Sequence, residues 1–144
     1  MSAFATVAVL GVGSWGSALA LTLAQNGASV HLWGHDAQEV APLIAQRENR
    51  RYLPGIVFPA NVHVGTDLAA ALADVALVLI VVPSHAYRST LQRLPPLLPI
   101  HCGVAWATKG LEPSTGCLLH EVTEQMLGTA WPLAVISGPS FAGE

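Results

Sequence analysis

Charge is scarce in this chain: only 10% of its 144 residues are Asp, Glu, Lys or Arg, a single lysine is present, Lys109, and no Lys or Arg precedes Arg47. With a net charge of −3 and no basic arm, bulk attraction to nucleic acid is excluded, and any bound phosphate must be held by local chemistry. The uncharged N-terminus also lacks the positive n-region of a secretory signal peptide. Long hydrophobic runs are missing too. A membrane helix near the N-terminus would have to pass through three glycines before Asn26-Gly27, and Val75 to Val82 is too short to span a bilayer. Cysteine is limited to Cys102 and Cys117, which share no metal-like spacing; two buried thiols in a reducing cytoplasm are expected. No His/Cys/Asp/Glu cluster has the spacing of a metal site, so no metal is expected.

What the chain has is apolar residues, 52% of the total, in a regular order. Ala5 to Leu10 reads as a strand, Ser14 to Asn26 as a helix with Gly27 as its C-cap, and Ser29 to Trp33 as a second strand. Asp36 with Glu39 three residues later forms a capping-box pattern for a helix to about Arg47. A loop with Pro54, Gly55 and Pro59 follows, then a short strand at Val62 to Val64. Asp67 caps a helix from Leu68 to Ala73, and Val75 to Val82 is the central strand. His85 to Leu94 reads as a helix stopped by Pro95-Pro96, Val104 to Thr108 as a strand, Ser114 to Leu127 as a helix, and Leu133 to Ser137 as the last strand. Strands and helices alternating at this spacing predict an α/β, Rossmann-type doubly wound parallel sheet with helices on both faces, as one domain over residues 1–144. No repeat, low-complexity tract or linker interrupts it.

The segment Gly11-Val12-Gly13-Ser14-Trp15-Gly16 joins the first strand to the first helix. In a turn of this kind Gly11 permits the tight bend, Gly13 lets the backbone approach a pyrophosphate, and Gly16 lets the helix pack close to the strand. The helix N-terminus then presents unpaired N–H groups to the phosphates. A doubly wound domain binds its ligand outside the carboxyl ends of its strands. That edge comprises Gly11 to Gly16, Gly34 to Asp36, Pro83 to His85, Thr108 to Gly110 and Gly138 to Ser140.

At the end of the second strand Gly34 stands where an NAD-specific domain usually has an acid. The glycine leaves room, His35 faces the space of a 2′-phosphate, and Arg47, Arg50 and Arg51 lie nearby in sequence; these features favour NADP(H). Asp36 is the opposing cue, since it reaches the ribose in another register; the arginines also read as a solvated helix end. Lys109 is either a cation beside the nicotinamide or an ordinary surface lysine, and Gly138-Pro139-Ser140 either a phosphate-binding turn or a plain one. His85 lines the pocket or simply starts its helix; Trp15 packs over the nicotinamide or roofs the core.

Together these blocks resemble the bacterial-type NAD(P)-dependent glycerol-3-phosphate dehydrogenase family. The similarity lies in Gly11 to Ala20, Leu32-Trp33-Gly34-His35-Asp36, Tyr52-Leu53-Pro54, Val82-Pro83-Ser84-His85, Trp106-Ala107-Thr108-Lys109-Gly110-Leu111-Glu112 and Ser137-Gly138-Pro139-Ser140-Phe141-Ala142. The resemblance implies interconversion of sn-glycerol 3-phosphate and dihydroxyacetone phosphate with NADP or NAD, supplying glycerol phosphate for phospholipids. It implies that Ser14, Trp15, His35, Lys109 and Ala142 touch NADPH, and that Lys109, Gly138 and Ser140 hold the substrate. Where many relatives carry arginine this chain has His35, a weaker phosphate partner near neutral pH, so NADPH is favoured without NAD being excluded. The family carries its proton-transferring lysine in a second, helical domain, so no residue here takes that role. The expectation is a cytoplasmic cofactor domain of a homodimeric enzyme that binds dinucleotide but does not turn over alone. Two other readings stay open: a hydroxy-acid dehydrogenase of the same sheet type, and a stand-alone dinucleotide-sensing module.

Overall fold

The computed structural model describes residues 5–100, 102–108, 110–128 and 131–135. Strand β1 (Thr6–Leu10) leads to helix α1 (Ser14–Gln25), β2 (Ser29–Trp33) and α2 (Ala37–Gln46). A short antiparallel pair follows, β3 (Glu48–Asn49) and β4 (Leu53–Val57). Then come β5 (Val62–Gly65), α3 (Leu68–Leu72), β6 (Leu77–Ile80), α4 (Ser84–Gln92), β7 (Gly103–Trp106), α5 (Leu119–Leu127) and β8 (Leu133–Val135). The main sheet has six strands in the order β5-β2-β1-β6-β7-β8, every pair parallel. The chain moves outward from β1 to β5, returns to β6 on the other side of β1, and moves outward again. The reversal falls between β1 and β6, where Leu10 pairs with both Trp33 and Ile80.

Side chains alternate across a strand, so a sheet covered on both faces needs apolar residues at every position. In β1, Val7 and Val9 pack with Ala20, Leu21, Ala24, Val40 and Leu43 of α1 and α2. Ala8 and Leu10 face the other way, toward Leu72, Tyr87, Leu91 and Val122 of α3, α4 and α5. Each fully buried aliphatic side chain contributes about 1.5–3 kcal/mol of transfer free energy. Local signals set the helix ends. Past the C-cap Asn26, Gly27 takes φ 99, its N–H bonds the Ala24 carbonyl, and the Ala28 N–H bonds that of Leu23, the double bond of a Schellman motif. Asp36 and Asp67 cap α2 and α3 by accepting from Gln38 N–H and Ala70 N–H.

Several boundaries differ from the sequence expectation. The C-cap of α1 is Asn26, with Gly27 one residue beyond, and among the described residues the reciprocal capping box of α2 is not made: Asp36 caps through Gln38 N–H, and the Glu39 N–H goes to the Asp36 carbonyl instead. The stretch with Pro54 and Gly55 is a strand rather than a loop, because a two-stranded ribbon leaves an edge where proline needs no ladder hydrogen bond. Helix α5 starts at Leu119, five residues late: Gly116 takes φ 72, and the Leu111–Leu118 bridge closes a turn ahead of it. Helix α4 begins at Ser84 and ends at Gln92, before Pro95-Pro96. Strand β6 is shorter than Val75 to Val82, although the N–H groups of Ala76 and Val81 extend its bonding to the Thr6 and Leu10 carbonyls. Strand β7 begins at Gly103 and ends at Trp106, and the predicted end of the last strand, 136–137, lies outside the described residues. Cys102 is buried as expected, but Cys117 is only partly so.

Two polar ties cross the α4 layer. Thr123 Oγ1 donates to the Leu119 carbonyl at 2.7 Å, so the Tyr87 hydroxyl must be the donor in its 2.8 Å bond to Thr123. Burial pushes the Tyr87 phenol above its usual range, which keeps that donor protonated. Arg88 grips Glu112 through two bonds of 2.7 and 2.9 Å, holding the segment after β7 against α4. The Arg88 hydrogen bond, then that of Thr115, brings the Glu112 carboxyl from 4.5 down to about 2. A carboxyl depressed in the folded state stabilises fully above its unfolded value and loses that effect as pH falls through the folded one. Glu112→Gln is therefore expected to lower the thermal midpoint at neutral pH, with the gap to wild type closing between pH 4.5 and about 2. A gap unchanged over that range would show that the carboxylate charge contributes nothing.

Candidate functional site

The turn after β1 is closed by backbone contacts that exclude side chains at two of its glycines. Gly11 takes φ 132, and a Cβ there would lie 2.9 Å from the carbonyl carbon and oxygen of Val81, past the end of β6. A Cβ on Gly16 would collide with the Gly11 carbonyl oxygen, while the nearest side chain, that of Val81 just past β6, is 3.7 Å away. Gly16 thus serves the closure of the turn itself more than the helix–strand packing expected of it. Gly13 is different: its φ of −73 suits any residue, and a Cβ there would meet nothing within 4 Å. Gly13 is also the N-cap of α1, and among the described residues no side chain caps that helix. The first-turn N–H groups are left for a ligand or solvent, beside open space, at the carboxyl end of β1.

Ser14 and Trp15 are both exposed on this first turn; Trp15, 46% accessible, does not roof the core. Behind the turn, the side-chain amide of Asn49 donates to the Val12 carbonyl and to Ser17 Oγ, both at 2.9 Å. Sequence reasoning missed Asn49, because nothing in its neighbourhood marks it as a partner of residues 37 and 32 positions earlier.

At the end of β2, the space beside Gly34 is filled by packing rather than left open. A Cβ at Gly34 would lie 2.7 Å from Val40 Cγ2 and 3.0 Å from Val12 Cγ2, so the glycine lets α2 pack against the turn. Asp36 spends one carboxylate oxygen on capping α2. His35 is exposed, its ring 6.4 Å from that of Trp33. The nearby arginines do not form a phosphate cluster. Arg47 donates to the Pro59 and Val62 carbonyls at 2.7 and 2.8 Å, Arg50 pairs with Glu48 at 3.3 Å, and Arg51 lies over the Tyr52 ring.

Farther along the edge, His85 is exposed in the first turn of α4, whose N-cap is Pro83. Thr108, placed at this edge by the sequence, has a bond the sequence did not show: its hydroxyl donates to the Val82 carbonyl at 2.7 Å and ties the end of β7 to that of β6. Lys109, Gly138, Ser140 and Ala142 lie outside the described residues. A cavity of about 370 Å³ sits elsewhere, beside β5, lined by His31, His63, Thr66 and Asp67 among others, and shares no residue with the glycine turn.

Strand order and a glycine turn at the point where that order reverses define a Rossmann-type α/β domain, the class built around dinucleotides. A family model described as NAD-dependent glycerol-3-phosphate dehydrogenase N-terminus matches residues 6–144, and the chain belongs to that family. Among its relatives, the glycerol-3-phosphate dehydrogenase [NAD(P)+] of Xanthomonas euvesicatoria is 54% identical over 138 residues, 96% of this chain and 40% of that protein. The enzyme of the same name from Pseudoalteromonas translucida is 54% identical over 143 residues, 99% of this chain and 43% of that protein. The crystal structure of glycerol-3-phosphate dehydrogenase from Coxiella burnetii superposes with a TM-score of 0.89 at 45% identity, covering 96% of this chain and 42% of that one. The chain thus spans about 40% of the length of the curated relatives it matches.

The glycines separate folding from binding. Gly11→Ala and Gly16→Ala are expected to cost about 2 kcal/mol or more in urea unfolding, through positive φ at the first and backbone overlap at both. Gly13→Ala is expected to cost no more than about 1 kcal/mol. Equal losses at all three positions would contradict this division.

Proposed function

We propose that this chain is the cofactor-binding part of a glycerol-3-phosphate dehydrogenase. The enzyme interconverts sn-glycerol 3-phosphate and dihydroxyacetone phosphate by hydride transfer with NAD(P)(H). What carries this reading is the turn itself: an uncapped α1 N-terminus, with Gly13 beside open space, at the switch point of a chain matched to the family over residues 6–144. The residues present fit a dinucleotide. Gly11 and Gly16 shape the turn, the backbone of Gly13, Ser14 and Trp15 faces the pyrophosphate, and His35 serves the adenosine end. Lys109 and Ala142 complete the cofactor contacts, and Lys109, Gly138 and Ser140 hold the substrate phosphate and hydroxyls.

The bound nicotinamide supplies the hydride chemistry, and the protein supplies position and charge. Proton transfer belongs to a lysine in a helical domain, within the part of the relatives that this chain does not cover. The whole enzyme is a cytoplasmic homodimer supplying glycerol phosphate for phospholipids. NADPH is the favoured cofactor, because His35 is accessible while Asp36 is partly engaged in capping and so less available to a ribose diol.

Titration with NADPH and NADH, followed by quenching of tryptophan fluorescence, tests the reading. NADPH is expected to bind more tightly, and His35→Asp to weaken NADPH about tenfold while leaving NADH nearly unchanged. Failure of the full-length protein to bind either dinucleotide would overturn the assignment; equal binding of both would overturn only the preference.

A further inference from the structure

Asn49 is a polar residue only 2% exposed, in the short strand β3 outside the main sheet. Its side chain is fully engaged. Nδ2 donates to the Val12 carbonyl and to Ser17 Oγ, and Oδ1 accepts the Tyr52 N–H at 3.2 Å. A carbonyl can only accept, so the nitrogen must face Val12. Ser17 Oγ lies 3.4 Å from the same carbonyl and reinforces the hold. The peptide joining Val12 to Gly13 is planar and trans, so its C=O and N–H point in opposite directions. Fixing the Val12 carbonyl inward therefore aims the Gly13 N–H outward. Among the described residues that N–H makes no backbone hydrogen bond, and the space beside Gly13 is open.

We propose that Asn49 is a positioning residue for the dinucleotide site. It holds the Val12–Gly13 peptide in the orientation that presents the Gly13 N–H to a pyrophosphate oxygen. The β3–β4 insertion then works as a brace for the turn, delivering Asn49 from behind it. A backbone donor fixed before the anion arrives needs no reorganisation on binding. The inference rests on the dinucleotide reading above, and its test is separable from that reading.

The decisive variant is Asn49→Asp, nearly identical in shape. An ionised carboxylate has no proton to give Val12 and would turn the carbonyl away; a protonated carboxyl restores the donor. Burial raises the pKa of such a carboxyl, so the change of state falls between about pH 5 and pH 8. NADPH binding by the full-length protein is expected to be about tenfold weaker than wild type near pH 8. The ratio of variant to wild-type affinity should recover as the pH is lowered, a comparison that cancels any pH dependence common to both proteins. A folded variant binding NADPH within about twofold of wild type near pH 8 would overturn the proposal. So would a loss that does not recover at low pH, since simple damage to the structure has no such profile. Should the variant not fold, the wild-type Gly13 amide signal in a ¹⁵N-resolved spectrum decides: a downfield shift of its proton on adding NADPH is expected, and no shift overturns the proposal. Absence of NADPH binding by wild type would instead count against the dinucleotide reading itself.

Discussion

The candidate site depends on how closely the chain leaving β1 passes the end of β6. Gly11 sits against the Val81 backbone, and Gly16 comes down on the Gly11 carbonyl. No residue with a Cβ fits either contact, and the closeness has a functional consequence. It starts α1 directly over the carboxyl end of β1, where strand order reverses and the sheet opens between neighbouring crossovers. The third glycine of the motif is under no such constraint. Gly13 faces open space with ordinary backbone angles, so the reason for a glycine there has to be sought in what approaches from outside.

Two-sided burial explains the composition. Strands β1 and β6 are buried at nearly every position because helices cover both faces, so neither strand has room for a charge. The few polar groups that do enter the interior are paired. Arg88 with Glu112, Tyr87 with Thr123, and Asn49 with Ser17 and Val12 each join elements that the sheet ladder does not connect. An unpaired donor or acceptor at these depths would cost about 1–3 kcal/mol, so the ties are specific as well as stabilising.

Most of the fold was legible in the sequence, because hydrophobic periodicity and caps are local signals. Ser29–Trp33 was read to the residue, and the capping roles of Asp36 and Asp67 were seen from their position ahead of an apolar run. The β3–β4 pair was not legible: Pro54 and Gly55 are turn residues by composition, and only their place on a ribbon edge makes them a strand. At the site, the glycines could be read because their constraint is written in residue type. Gly34 was misread for the same reason, since absence of a side chain looks the same whether it leaves space for a ligand or for Val40. Asn49 could not be found at all, because its partners are distant in sequence and its contacts exist only once the insertion has folded back.

The distribution of arginines bears on how a phosphate-rich ligand would be attracted. Arg47 is spent on two carbonyls, Arg50 on Glu48 and Arg88 on Glu112, while Arg51 lies over Tyr52 and Arg93 over Trp33. Each arginine therefore has a partner within the fold. Among the described residues, attraction for an anion at the turn then falls to backbone N–H groups, whose direction is set by the same contacts that fold the domain. Such donors lose no side-chain rotamer freedom when they bind. A basic patch would attract phosphate by charge at long range, with a strength that falls with salt and a geometry that flexes. A neutral turn acts only on a ligand already in place, and it demands the right shape. On that basis a chain with 10% charged residues can still be a selective phosphate binder, because selectivity comes from where the peptide dipoles point.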